Sequence, residues 1–129
     1  MANDKETILS DDSFLVSETD EKGNIIFVNE EFCKVAEYQE SELLGKPHNV
    51  VRHKDMPKAA FKDLWETIKS GVLWQGYVKN ETKNGGFYWV YTTIYPYKNE
   101  KKEQCYMSIR RKPSREDIIK AEALYKNLQ

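Results

Sequence analysis

The sequence lacks the features that mark several large classes of protein. Two cysteines among 129 residues allow no disulfide framework, and Cys33 and Cys105 lack the spacing of metal ligands. No apolar run approaches the roughly 20 residues that a membrane span needs, and the polar N-terminus is unlike a signal peptide. Twenty basic and 21 acidic residues nearly cancel, so no basic field attracts nucleic acid. We therefore expect a cytoplasmic protein with no nucleic-acid partner and no direct membrane insertion.

The chain does contain the apolar material for one folded domain with a pocket. Hydrophobic residues make up 40% of the sequence, which argues against intrinsic disorder. Eight tyrosines, five phenylalanines and three tryptophans are many for this length, and they cluster between Trp65 and Tyr106. A chain of this size buries roughly two thirds of its unfolded surface, which is enough for a core and one ligand site.

Turn residues and hydrophobic spacing divide the chain into strands and helices, after a loose or weakly helical lead-in. The predicted strands cover residues 14–17, 25–28, 73–81, 87–96 and 104–111. The predicted helices begin near Asn29, Glu40, Pro57 and Ser114. This order predicts an α+β fold, in which a five-stranded antiparallel sheet has short helices over one face and a C-terminal exit helix. We divide the chain into the lead-in (1–12), a main domain (13–112) and the C-terminal helix (113–129).

Alternation along the strands indicates which side chains face the interior. On 73–81, one set contains Trp74 and Asn80, with a glycine that leaves room beside a large ring. On 87–96, both alternating sets are apolar, so periodicity alone does not choose between them. Two interpretations stay open. The aromatic residues fill a core, or Trp74, Asn80, Trp89 and Tyr91 line a site for a planar ligand.

The segment RHKDMP, just before the helix that Pro57 opens, is the second unusual feature. Arg52 can pair with phosphate through its planar guanidinium, beside the positive end of a helix. The alternative is a solvated loop in which Arg52 pairs locally with Asp55. His53 is a candidate haem ligand, although a single histidine is more often a hydrogen-bonding loop residue.

Several segments together resemble the PAS domain of the bacterial aerotaxis (energy-taxis) receptor family. They are GKPHNVVRHKDMPKAAFKDLW, the W-x-G-x-V-K-N segment at 74–80, KNGGFYWV and YMSIRRK. The likeness runs from about Thr19 to the end of the chain. It implies a PAS fold, non-covalent binding of FAD rather than FMN, and a sensor that reads the redox state of electron transport.

The resemblance also implies roles for individual residues. Arg52, His53 and Asp55 match the FAD-binding segment of the family. Trp74 matches a tryptophan that lies against the isoalloxazine ring, and Asn80 matches an asparagine that hydrogen-bonds that ring. Asn29 matches a position associated with signalling and cofactor retention. Trp89 and Tyr91 match ring-contacting positions of related domains. The reactive cysteine of the photosensory LOV group has no counterpart in 49–53, so no flavin adduct is expected.

We therefore expect an FAD-binding redox sensor with no catalytic residues, no metal site and no enzymatic activity. The resemblance implies a homodimer and a HAMP or transducer-type signalling partner, through which the protein is able to associate with a membrane. Three alternatives stay open: a PAS domain that senses through another small ligand, especially haem at His53 or His48, a ligandless dimerisation module, and a small flavin enzyme. Sequence alone shows no nucleophile and base at a spacing that would favour the enzyme.

Overall fold

One antiparallel sheet organises the protein, whose computed structural model describes residues 5–128. Its strands are β1 (Leu15–Asp20), β2 (Ile25–Val28), β3 (Trp74–Glu81), β4 (Phe87–Lys98) and β5 (Gln104–Arg111). The spatial order is β2-β1-β5-β4-β3, so the first hairpin pairs with the last strand. The pairing of β1 with β5 therefore closes the two ends of the domain onto each other. All five predicted strands are present, with β1 and β4 longer at their C-terminal ends.

The helices lie between β2 and β3 and after β5. They are α1 (Glu30–Ala36), α2 (Glu40–Leu43), α3 (Lys58–Lys69) and α4 (Arg115–Lys126), with a 3₁₀ turn at His48–Val51. The first three and the 3₁₀ turn cover one face of the sheet, which we call the inner face. The exit helix α4 packs instead on Trp89, Tyr77 and Phe87, on the opposite or outer face. None of the helices within the described part of the chain combines the length and hydropathy of a membrane span.

The main core lies between the inner face and the helices that cover it. Fully buried side chains come from both layers: Leu15, Ile25 and Val90 from the sheet, with Phe32 and Leu43 from the helices. Each such side chain stabilises the fold by about 1.5–3 kcal/mol relative to leaving it in water. This core holds the inner-face helices on the sheet. Where the packing between the two layers is incomplete, a cavity remains.

The lead-in forms no helix over residues 5–12. Its backbone instead lies beside the start of β4, where the Thr7 N–H donates to the Phe87 carbonyl at 2.8 Å. The Phe87 N–H donates in turn to the Lys5 carbonyl at 2.9 Å. The expectation of weak helicity is therefore wrong for these residues, because the unpaired edge of a strand offers hydrogen bonds that a short isolated helix lacks. The part of the lead-in at 1–4 lies outside the described residues.

Asn29 connects α1 to the sheet. Its side-chain oxygen accepts the N–H of Phe32, which caps the helix, and the N–H of Val16 in β1. Its side-chain amide donates to the Phe14 carbonyl at 2.8 Å. One side chain therefore satisfies three backbone groups on two elements.

We expect Asn29→Ala to lower the free energy of unfolding by about 2 kcal/mol, since it removes a helix cap and two further hydrogen bonds. Urea denaturation measures the change. Asn29→Asp is the matched control, because aspartate keeps both acceptor roles and should lose clearly less. Equal stability of Asn29→Ala and the wild type would contradict this role.

Candidate ligand cavity on the inner face

A cavity of about 290 Å³ lies between the inner face, α3 and the segment that contains the 3₁₀ turn. This volume is at the lower end of the range for small-molecule pockets. The helix contributes an apolar wall of Phe61, Leu64, Trp65 and Ile68. The sheet contributes the opposite wall, and most of its polar groups are deeply buried. The arrangement suits a flat ligand with one apolar side and polar edges.

The register of the sheet brings buried polar side chains together on that wall. Asn80 comes from β3, Thr92 from β4, and Ser108 and Arg110 from β5, where Thr92 pairs with Arg110. Thr92 Oγ1, Ser108 Oγ and Arg110 Nη1 are buried and have no hydrogen-bond partner among the described residues. Each such group costs about 1–3 kcal/mol if it stays unsatisfied. Native proteins hold few of them, so their concentration at one cavity indicates a site that a ligand completes.

Arg110 dominates the electrostatics of the cavity. Only 3% of the residue is exposed, yet no carboxylate in the stretch 5–128 pairs with it. Its Nη2 donates to His48 Nε2 at 2.7 Å and to Ser17 Oγ at 3.0 Å, and its guanidinium lies 5.0 Å from the centre of the Phe32 ring. Burial lowers the pKa of Arg110 to about 10, so the side chain keeps its charge at neutral pH. A buried cation without an anion is costly, which points to a negatively charged or electron-rich occupant.

His48 is the neutral partner of this arginine. Burial, and then the nearby charge of Arg110, lower the pKa of His48 to about 3. Its Nε2 accepts from Arg110, and the remaining proton of the neutral ring therefore resides on Nδ1. Nε2, the nitrogen that faces Arg110, is thus occupied, and using it as a haem ligand would break this hydrogen bond.

Of the RHKDMP residues, only Arg52 lines the cavity. Its backbone pairs with that of Asn80, and its guanidinium lies 4.4 Å from the centre of the Phe61 ring. His53 and Asp55 lie outside the lining residues. The local Arg52–Asp55 pair does not form, because the Asp55 carboxylate pairs with Lys79 at 2.9 Å.

His53 and Asp55 instead support the loop from behind. His53 is buried, and its Nδ1 accepts the N–H of Asp55 at 3.0 Å, which engages this nitrogen as well. Burial and the charge of Lys79 lower the pKa of His53, and the hydrogen bond from Lys79 lowers the pKa of Asp55. His53 and Asp55 are therefore engaged with the loop and with Lys79, and neither is placed for contact with a ligand in the cavity.

Trp74 lies on the inner face, as alternation predicts, but it is not among the lining residues. A Cβ atom on Gly76 would lie 2.5 Å from Cη2 of the Trp74 ring, so the glycine does leave room for that ring. The indole Nε1 donates to Asp63 on α3 at 2.9 Å. Trp74 thus bridges the sheet and α3 beside the cavity. Asn29 lies at the start of α1 and is likewise not a lining residue.

The placement of Trp89 and Tyr91 on the inner face is wrong. The β3–β4 register pairs Asn80 with Tyr88, and residues directly opposite in an antiparallel pair share one face. Trp89 and Tyr91 therefore project from the outer face. Trp89 stacks on Tyr125 of α4, with 6.3 Å between ring centres, and Tyr91 contacts Tyr77 at 4.9 Å. Periodicity does not distinguish the two faces of β4, because both alternating sets of its residues are apolar.

Four features of the cavity are not among the predicted site residues: Arg110, Ser108, Thr92 and the pairing of His48 with Arg110. In β5, polar Ser108 and Arg110 alternate with apolar Met107 and Ile109, which ordinarily indicates a polar solvent face. The structure has the reverse, with the polar set inside. The sequence signal for this site is a serine and an arginine two residues apart, and therefore on the same face, in a central strand.

The described residues give little support for a metal site or for a cysteine at the cavity. Within 5–128, no group of three or more His, Cys, Asp and Glu side chains is arranged to hold a metal ion. Cys33 lies on α1 and Cys105 is buried on β5, and neither lines the cavity.

The chain is similar to known proteins in sequence and in structure. The profile of a family described as the PAS fold matches residues 25–110. The chain is 49% identical over 122 residues to the "Aerotaxis receptor" of Escherichia coli, covering 95% of this chain and 24% of that protein. It is 28% identical over 106 residues to a "Nitrogen fixation regulatory protein" of Klebsiella oxytoca, covering 81% of this chain and 21% of that protein. The chain thus spans a quarter or less of these relatives.

Among solved structures, one similar fold is described as "Flavin Analogue Sheds Light on Light-Oxygen-Voltage Domain Mechanism". Its TM-score is 0.72 at 19% identity, with 88% of this chain and 84% of that chain covered. At this level of identity the likeness concerns the fold.

We expect acid to destabilise the unliganded protein partly through His48. Between pH 6.5 and about 3 the unfolded chain binds a proton at His48 that the folded chain does not, so stability falls as the pH falls. The largest slope from one such group is about 1.4 kcal/mol per pH unit. His48→Gln keeps an acceptor for Arg110 but cannot titrate. Urea denaturation from pH 7 to 4 should give a shallower pH dependence for this variant, and equal slopes would contradict the assignment.

Proposed function

The chain belongs to the PAS family, and from this membership we propose that it is a flavin-binding sensor domain that reports redox state for aerotaxis or energy taxis. The cavity on the inner face is the proposed flavin site. The observation that carries the proposal is Arg110, a buried cation whose Nη1 has no partner in residues 5–128. A planar, electron-rich ring with acceptor atoms at its edge would supply the partners that Arg110, Thr92 and Ser108 lack.

The comparisons support the same ligand class. The similar E. coli protein is an aerotaxis receptor, and one similar fold is described through a flavin analogue. A cavity of about 290 Å³ suits a ring system better than a complete dinucleotide. The remainder of an FAD molecule would therefore leave the cavity past Arg52, whose planar guanidinium is suited to phosphate. This geometry favours a phosphate-bearing flavin, and the similarity to the aerotaxis receptor is our reason for proposing FAD rather than FMN.

Asn80 is the side chain suited to follow a change at the ring edge. The bound flavin would supply the electron transfer, and the protein would supply orientation and electrostatics. The Asn80 amide carries both a donor and an acceptor, so rotation lets it face either an acceptor or a donor. Its backbone pairs with Arg52 and, within the sheet, with Tyr88. A change at Asn80 would therefore be felt both at the cavity opening and in β4.

We propose a sensor rather than an enzyme. The buried hydroxyls of Thr92 and Ser108 have no hydrogen-bond partner in the described chain, so neither is paired with a base as nucleophilic catalysis requires. The proposed output is the exit helix α4. Its Tyr125 hydroxyl donates to the Tyr77 carbonyl of β3 at 2.6 Å, and its ring stacks on Trp89 of β4.

The proposed partner is a HAMP or transducer-type signalling domain, in the same chain or in another subunit, with the sensor acting as a homodimer on the cytoplasmic side of a membrane. The similarity to one quarter of an aerotaxis receptor supports this arrangement.

Purification under native conditions tests the ligand directly. We expect the paired near-ultraviolet and blue absorption bands of an oxidised flavin, bleaching with dithionite, and FAD by mass spectrometry of the released ligand. A Soret band, or a colourless protein that binds no added flavin, would contradict the proposal.

Two conservative variants test whether the flavin occupies this cavity. Asn80→Asp places a negative charge on the inner face and should lower the midpoint potential by about 30 mV or more, equivalent to about 1.4 kcal/mol for a two-electron couple. Tyr91→Phe, on the outer face of the neighbouring strand, is the control and should leave the potential unchanged. Equal flavin midpoint potentials in Asn80→Asp and Tyr91→Phe would contradict the placement of the flavin in this cavity.

Hydrogen exchange tests the output. We expect amide protection across 115–126 to differ by about fivefold or more between oxidised and reduced protein, since a relay requires the two states to stabilise α4 differently. The amides of α1 serve as the internal reference. Identical protection of α4 in both states would exclude it as the output element.

A further inference from the structure

The lining of the inner-face cavity has charge of one sign. Among the described residues it includes three basic side chains, Lys22, Arg52 and Arg110, and no aspartate or glutamate. His48, which also lines it, is neutral because burial and Arg110 lower its pKa to about 3. The whole chain has 21 acidic residues against 20 basic ones, so this lining does not reflect composition. The cavity is therefore suited to a ligand with negative charge.

The three basic residues occupy different depths. Arg110 is 3% exposed and lies at the closed end, among the buried side chains of β3, β4 and β5. Lys22 is exposed and Arg52 is half-buried, so these two mark the open end. Arg110 is placed for the enclosed part of a ligand. Lys22 and Arg52 are placed for a part that emerges from the cavity.

Lys22 lies on the β1–β2 turn, which hydrogen bonds hold in a defined position. The Asp20 carboxylate accepts the backbone N–H groups of Lys22 and Asn24, each at 2.9 Å. Gly23 has a φ of +87°, and a Cβ atom there would lie 3.0 Å from Cη2 of Trp65. A glycine is therefore needed for the turn to lie this close to α3.

The same turn is attached to the segment that leads to Arg52. The Gly23 carbonyl accepts the N–H of His48 at 3.1 Å, and Asn24 forms a backbone bridge with Pro47. The 3₁₀ turn starts at His48, and Arg52 caps its C-terminal end. Lys22 and Arg52 therefore border one opening from two connected segments.

Neither of the two side chains has an acidic partner in the described chain. Arg52 lies against the face of Phe61, and no ion pair involves Lys22. The Asp20 carboxylate is engaged with the backbone of the turn, and Glu21, which follows it, is not a lining residue. Both cations are thus available to a ligand.

We propose that Lys22 and Arg52 form a two-cation clamp for the phosphate groups of a flavin nucleotide, and that Lys22 makes the cavity prefer phosphate-bearing flavins to riboflavin. This inference rests on the proposed flavin site. Arg52 supplies a planar fork that the Phe61 ring orients, and Lys22 supplies a point charge on a flexible stem. Together they approach a phosphate chain from two sides.

The test is a fluorescence titration of flavin-free protein with riboflavin, FMN and FAD. The variants are Lys22→Gln and the matched control Lys101→Gln, which removes an equal charge from the exposed turn between β4 and β5, outside the cavity lining. Circular dichroism checks that each variant is folded. We expect Lys22→Gln to weaken FAD binding about two- to fivefold, as for one solvent-exposed ionic contact, and to leave riboflavin binding unchanged. Lys101→Gln should leave all three affinities unchanged.

The dependence on salt provides a second measurement. Added salt screens the attraction between phosphate and the two cations. Wild-type affinity for FAD should therefore fall more steeply between 50 and 300 mM salt than affinity for riboflavin, and Lys22→Gln should reduce that difference. If wild-type protein binds flavins but Lys22→Gln and Lys101→Gln have equal FAD affinity, the clamp is overturned and the flavin site stands. If riboflavin binds as tightly as FAD, the clamp is likewise overturned. If no flavin binds the wild type, the proposed function is overturned and the clamp with it.

Discussion

The buried charge of Arg110 is the constraint on which the rest of the site depends. The guanidinium lies on a central strand, between the ring of Phe32 and the neutral imidazole of His48, with no carboxylate near it in residues 5–128. A protein interior tolerates such a group only when hydrogen bonds and a suitable occupant offset its desolvation. Ser17 and His48 satisfy Nη2, while Nη1 has no hydrogen-bond partner among residues 5–128. The neutral state of His48, the polar inner wall and the absence of acidic lining residues in the described chain are all consistent with one electron-rich ligand.

The two faces of the sheet have separate roles, and β4 connects them. Its Thr92 lines the cavity, while Trp89, three residues earlier and on the opposite face, stacks on Tyr125 of the exit helix. A small change in the hydrogen bonding of the inner face therefore has a short route to α4 through the backbone of one strand. Such a route transmits a signal only if the two ligand states stabilise different packings of that helix.

Much of the fold is predictable from the sequence because turn residues and caps are local signals. Asn29 caps α1 and Ser114 caps α4 as their neighbours indicate, and the glycine-rich turns separate the strands. Asn80 and Arg52 both line the cavity, and their role in cofactor binding stays a prediction. Trp89 and Tyr91 were not correctly placed, because two apolar faces of one strand carry no information on which is inside. The register with β3 decides that, and register depends on long-range pairing.

The RHKDMP segment shows that residues of one sequence motif do not all belong to one site. His53 and Asp55 lie close to Arg52 in sequence, yet neither lines the cavity. His53 accepts a backbone N–H of the loop, and Asp55 pairs with Lys79. Arg110 was missed for the opposite reason, since an arginine that alternates with apolar residues ordinarily faces water. Its burial follows from its position on the inner face, where Phe32 of α1 and His48 of the 3₁₀ turn contact it.

A crystal structure of the flavin-loaded protein tests the central claim most directly. The account predicts that the ring occupies the inner-face cavity, with Arg110 Nη1 within about 3.2 Å of an acceptor atom of the ring. A flavin bound elsewhere on the protein, or a ring in the cavity with Nη1 still unpartnered, would contradict it.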